Sequence, residues 1–172
     1  LVVFTDFTDL AANDIAGRIV LPDGGVRSVE IIVSRPVGDQ QRTAIAYNSQ
    51  DDEYLVVWHD RRAGNWDIYG QRVRADGTLP DYTFAICTDA ANQLNPAVAY
   101  NLDTNQYLVV WDDRRDGHGD LYGQIVEADG DLLGGEVPIA GAGTTGRHLP
   151  RLAYNPISGE FLVVYGYAEE NN

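Results

Sequence analysis

The run Tyr54-Leu-Val-Val-Trp58 returns as Tyr107-Leu-Val-Val-Trp111, and in looser form as Leu1-Val-Val-Phe4 and Phe161-Leu-Val-Val-Tyr165. Its leucines, Leu1, Leu55, Leu108 and Leu162, are spaced by 54, 53 and 54 residues. A period near fifty defines a stack of like units, none of which buries its apolar surface alone. The run is apolar at every position rather than at alternate ones, so a strand built from it is covered on both faces. β-branched and aromatic residues favour strand over helix.

The remainder of the unit reads as three further strands. Before the apolar run, which we term strand b, stands strand a: Thr43–Asn48, Pro96–Asn101 and Pro150–Asn155. Its small alanines suit a crowded place where sheets converge. After it comes strand c, Asp14–Val20, Asp67–Val73 and Asp120–Val126, with a glycine inside it at Gly17, Gly70 and Gly123. An in-strand glycine marks a bulge or the close approach of other atoms. Asp23-Gly24, Asp76-Gly77 and Asp129-Gly130 supply the positive φ that a tight hairpin requires. Strand d is short, at Glu30–Val33, Thr83–Ile86 and Glu136–Ile139, and Pro138 marks it as an edge. Four antiparallel strands whose second member needs a sheet on each face pack radially, as in an all-β propeller. A β-sandwich requires polar-out alternation that strand b lacks, and a β-helix a shorter period.

The order Pro-x-x-Ala-Tyr-Asn, Tyr-Leu-Val-Val-Trp, Asp-Ile-Tyr-Gly-Gln-Arg-Val and Asp-Gly resembles the repeats of bacterial and archaeal surface propellers. It is similar in layout to the Tol-B-type repeat, over essentially the whole chain. That resemblance implies blades of four strands. It does not extend to the WD repeat, because no matching Gly-His and Trp-Asp pairs recur, or to the sialidase Asp box.

The single repeat domain, 1–172, then divides into a partial blade at 1–42 (b-c-d), full blades at 43–95 and 96–149, and a partial blade at 150–172 (a-b). About three repeats leave the ring incomplete, since closed propellers use roughly four to eight blades. The chain has no Met and opens inside a strand-like run, which reads as a processed product or an internal piece of a longer chain. Completion could come from such a chain, from copies of the same chain, or from strands exchanged between copies in an open array. The exchange edges are Leu1, Val2, Val3 and Phe4 at one end and Phe161, Leu162, Val163, Val164 and Tyr165 at the other.

Twenty-six acids against twelve bases, all arginine, give a net charge of -14. That balance argues against nucleic acid or an anionic membrane surface as a partner, and no apolar run is long enough to span a bilayer. One cysteine, Cys87, allows no intrachain disulfide and reads as a buried apolar residue. Acidity without Lys and with little Cys fits an extracellular or cell-surface protein. Protein is the expected partner, in the form of further blades, with glycan as a second candidate.

The b–c loops gather the charge. Asp6, Asp60 and Asp113 align, as do Asp14, Asp67 and Asp120, with Asp9 and Asp116 between them. Closely spaced carboxylates could take calcium as a cofactor. Arg61, Arg62, Arg114 and Arg115 in the same loops favour hairpin stabilisation instead, leaving the Arg-free first loop as the best cation candidate. Trp66 is exposed enough on this reading to stack on a sugar or a partner, or to pack over a neighbouring loop. Trp58, Trp111, Tyr47, Tyr100 and Tyr154 read as core. His59, His118 and His148 share no repeat position, and the alignment of His59 with Asp112 points to a variable exposed place. Acids repeated once per blade read as scaffold, so no catalytic residue is assigned. The expected function is a structural or binding module, and the alternative is a propeller-type glycan hydrolase or carbohydrate-binding domain.

Overall fold

The computed structural model describes residues 1–7, 12–141 and 146–168. They form β1 (Val2–Asp6), β2 (Asp14–Arg18), β3 (Ile31–Ser34), β4 (Gln40–Asn48), β5 (Glu53–Asp60), β6 (Asp67–Arg74) and β7 (Phe84–Cys87). β8 (Gln93–Asn101), β9 (Gln106–Asp113), β10 (Asp120–Glu127), β11 (Leu132–Ala140), β12 (Gly146–Asn155) and β13 (Glu160–Ala168) follow, with no helix among the described residues. The antiparallel sheets are β1-β2-β3, β4-β5-β6-β7, β8-β9-β10-β11 and β12-β13. The a strands β4, β8 and β12 lie side by side, so the sheets radiate from one axis.

Strand b divides its side chains between two cores, as its unbroken apolarity requires. Val56 and Trp58 pack with Ile15 and Val33 of the first sheet, whereas Leu55 and Val57 pack with Val98, Val109 and Trp111 of the third. One blade further on, Leu108 and Val110 turn towards Leu152, Phe161 and Val163 of the fourth sheet. Both tryptophans are fully buried. Cys87 lies in the same core, where burial pushes its thiol up.

The glycine positions behave as the pattern requires. A Cβ on Gly70 would lie 3.0 Å from Phe84 and 3.1 Å from Ile86, beside the register shift between Ile68 and Tyr69. Gly24, Gly77 and Gly130 hold φ of 85°, 93° and 100° at the c–d turns. β11 is an edge strand, which accommodates Pro138.

Two expectations change. Strand a starts at Gln40 and Gln93 rather than at Thr43 and Pro96, because Gln40 and Gln93 pair with the last residues of strand b, Asp60 and Asp113. Between those first pairs and the rest of the ladder the register breaks, at 41/44, 94/97 and 148/151. The bulges hold Arg42, Asn95 and Leu149 at φ of 58°, 52° and 54°. Tyr47, expected in the core, is 46% exposed, because its ring lies near the outer end of β4. Its hydroxyl does reach a polar partner, Asp52, at 2.8 Å, as that of Tyr100 reaches Asn105 at 2.8 Å.

Neighbouring sheets are joined differently at their two ends. At one end the main chain makes the joint: Gln40, Gln93 and Arg147 N–H groups donate to the carbonyls of Asn13, Trp66 and Gly119 of the preceding sheet, at 2.8, 2.7 and 2.7 Å. At the other end side chains make it: Asn48 donates to Asn105 at 2.9 Å, Asn105 to Asp51 at 3.0 Å, and Tyr154 to Asp103.

Candidate functional site

The aligned loop acids build one recurring unit. In the second sheet the Trp58 indole donates to Asp60 Oδ2 at 2.9 Å, Arg62 Nη2 to the same oxygen at 2.5 Å, and the Arg62 amide to Oδ1 at 2.9 Å. The guanidinium then lies 4.0 Å from the centre of the Tyr69 ring. In the third sheet Trp111, Asp113, Arg115 and Tyr122 repeat it: 2.9 Å from indole to carboxylate, 2.7 Å from guanidinium to carboxylate and 4.0 Å from guanidinium to ring. Arg115 also holds Glu136 at 2.6 Å. Burial acts to raise the Asp113 carboxyl, but the hydrogen bonds from Arg115 and Trp111 hold it below the usual carboxylate range. In the first sheet Arg35, from beyond β3, reaches Asp14 at 2.5 Å and Asp6 at 3.9 Å. In the fourth, Tyr165 and Tyr167 occupy the Trp and Asp places, with rings 5.4 Å apart.

This geometry fits a cation poorly at most of the expected acids. A calcium ion at Asp60, Asp113 or Asp14 would displace an arginine that this chain itself supplies. Asp67 accepts from Asn65 at 2.9 Å, Asp120 has Arg147 at 3.4 Å, and Asp116 is exposed. Asp9 lies outside the described residues. Among the described residues no three His, Cys, Asp or Glu side chains gather in a way that would hold a metal ion. Thermal melting with and without a chelator is expected to give the same midpoint; a lower midpoint with chelator would restore calcium.

Of the contact candidates, Trp66 and Arg61 lie together, whereas Arg62, Arg114 and Arg115 are each held by an acid. Trp66 is half-buried, its ring 4.4 Å from His59 and 5.8 Å from the Arg61 guanidinium. Arg114 holds Asp112 at 3.3 Å. Leu1 and Val3 turn inwards against the second sheet, and Phe161, Val163 and Tyr165 against the third. Val2, Leu162 and Val164 are exposed, and β1 and β13 are edge strands.

Sequence reasoning misplaced one group. His59 and Asp112, expected at an exposed place, are 5% and 0% exposed. The reason is the one that buries strand b: a polar residue continuing that strand still lies between two sheets. The Asn95 amide donates to His59 Nδ1 at 3.3 Å, and its side chain to Asp112 Oδ2 at 3.4 Å. Burial and the nearby Arg42 push the imidazole down to about 4, so it is neutral at physiological pH with its proton on Nε2. Burial pushes the Asp112 carboxyl up against the pull of Arg114. Asn95 also borders a cavity of about 260 Å³ at the axis, where β4, β8 and β12 meet. Arg42, Thr43, Pro96, Leu149 and Arg151 border it too, and no carboxylate lines it. The recurring break in strand a was invisible in sequence, because Arg42, Asn95 and Leu149 share no residue type.

No protein-family model and no curated protein matches the chain. Among solved structures, the chain is similar to the crystal structure of a thermostable family-43 glycoside hydrolase, with a TM-score of 0.59 and 13% identity over 95% of this chain and 64% of that one. At that identity the likeness shows the fold, which is an all-β propeller whose ring the described residues leave open. The chain spans about two-thirds of the length of that neighbour, at 64%.

Proposed function

We propose that this chain is a structural and binding module of an extracellular or cell-surface assembly, completed by further blades of its own kind. One observation carries the reading. Leu55 and Val57 are 0% exposed and Leu108 and Val110 are 6% and 0% exposed, each pair covered by the next sheet. Their counterparts Leu162 and Val164 are 67% and 53% exposed. At the opposite end Val2 is exposed where Val56 is buried. The chain thus presents both halves of a contact that it already makes internally. The resemblance of its repeats to surface propellers supports the setting, and its acidity is compatible with it.

A second copy is the simplest source of those blades. Sedimentation velocity is expected to show a mass above 18.9 kDa that rises with protein concentration. Association should strengthen with added salt, because a net charge of -14 repels like copies until it is screened. Leu162→Asp combined with Val164→Asp should restore the monomer. A wild-type monomer at every concentration and salt level would overturn self-association and leave a longer parent chain as the source.

The second reading, a glycan hydrolase, draws on the fold it shares with the family-43 neighbour. Most such chemistry uses two carboxyl groups on either side of the scissile bond. The axial cavity is bordered by arginine, amide and apolar residues instead. Absence of glycosidase activity on a panel of aryl glycosides is the expected result.

A further inference from the structure

We propose that the axial cavity is an oxyanion site, taking the carboxylate or sulfate group of a sugar-sized ligand. Its volume of about 260 Å³ lies below the ~300–1,000 Å³ typical of pockets for drug-sized molecules, so it suits one small ring or a short acid.

Its charge is opposite to that of the chain. Arg42 and Arg151 border it without a carboxylate, in a chain of 26 acids and 12 bases. Other arginines, such as Arg62, Arg72 and Arg115, hold acids of this chain. Among the described residues Arg42 has no acid partner, and Arg151 donates to the Pro150 carbonyl at 2.8 Å. Asp112, which touches the lining residue Asn95, is itself matched by Arg114 at 3.3 Å. A guanidinium presents a planar fork of donors that matches a carboxylate or sulfate.

The main chain supports the same assignment. The bulges leave Arg42 and Thr43, Asn95 and Pro96, and Leu149 and Pro150 without ladder partners. Five of these six residues border the cavity. Three a strands therefore break their pairing where they meet one space, with non-glycine residues at positive φ. Non-glycine residues at positive φ are over-represented at ligand sites. The lining residues all come from a single copy of this chain.

The test is titration calorimetry at neutral pH and low salt with glucuronate, glucose 6-sulfate and glucose. Glucuronate or glucose 6-sulfate is expected to bind and glucose is not. Stronger binding of the first assigns a carboxylate, and stronger binding of the second a sulfate ester. Arg42→Gln with Arg151→Gln should weaken binding by roughly tenfold or more, as expected for losing charge-assisted forks. Arg61→Gln, outside the cavity, should leave it unchanged. All three arginines are at the surface, and unchanged melting temperatures would show that the variants fold. Equal binding of glucose, no binding of either anion, or wild-type affinity in the double variant would overturn the assignment.

Discussion

Asp113→Ala is expected to destabilise the protein by about 3–5 kcal/mol in urea unfolding, the loss typical of breaking a buried ion pair from one side. The carboxylate is buried and holds the Trp111 indole and Arg115 at once, the latter also held by Glu136. Its removal leaves an indole N–H without an acceptor in the core and a guanidinium without its main counter-charge. Asp60→Ala should behave alike, since Trp58 and Arg62 make the same contacts in the second sheet. Asp113→Ala combined with Arg115→Leu should recover part of the loss, because the guanidinium is then gone along with its main partner and the remaining Glu136 is partly exposed to water. A loss below about 1 kcal/mol for Asp113→Ala, the range of an exposed pair, would show that the recurring Trp-Asp-Arg-Tyr unit is decoration.

The second large effect is on pH dependence. His59 is buried against Trp66, Asn95, Arg42 and the neighbouring Asp60, and its folded pKa of about 4 lies below the ordinary 6.5. The unfolded chain therefore binds a proton that the folded chain refuses. Stability from this residue is fully present above pH 6.5 and is lost progressively as pH falls to about 4. The span is worth about 3 kcal/mol at most. Asp113, held below the usual carboxylate range, acts in a lower window: its contribution is lost only as pH falls below its ordinary 3.8. His59→Gln should flatten the curve between the two values that bound the histidine window and leave the more acidic limb in place. Urea midpoints measured across that range in both proteins provide the check; parallel curves would remove His59 from the account.

Much of this fold was legible because strand b is apolar on both faces. Leu55, Val56, Val57 and Trp58 split between two cores, as their lack of alternation requires. The c–d turns were legible because Asp-Gly meets a steric demand that few other pairs satisfy. The partners of the loop acids were half legible: the i, i+2 spacing of Trp58 and Asp60 puts them on one side of the strand, but their joint hydrogen bonding with Arg62, in the turn beyond it, appears only in three dimensions. The axial group was not legible. Its strand breaks fall on Arg42, Asn95 and Leu149, and its histidine and aspartate look like surface residues until the second sheet face is known to be covered.

The two kinds of joint between sheets bear on how this scaffold can diversify. Where Gln40, Gln93 and Arg147 donate to Asn13, Trp66 and Gly119, the acceptors are main-chain carbonyls, and acceptors of three unlike residue types make one and the same joint. The joint itself does not depend on side-chain identity, so loop residues at that end that hold no partner are free to drift while the pitch between sheets stays fixed. The other end, tied through Asn48, Asp51 and Asn105, carries no such freedom. New specificities grafted onto this protein therefore belong on the loops between the second and third strands, and libraries built at positions 61, 63 and 116, with Arg62 and Arg115 kept, should return folded members at high frequency, whereas libraries over the turns at 48–53 and 101–106 should not.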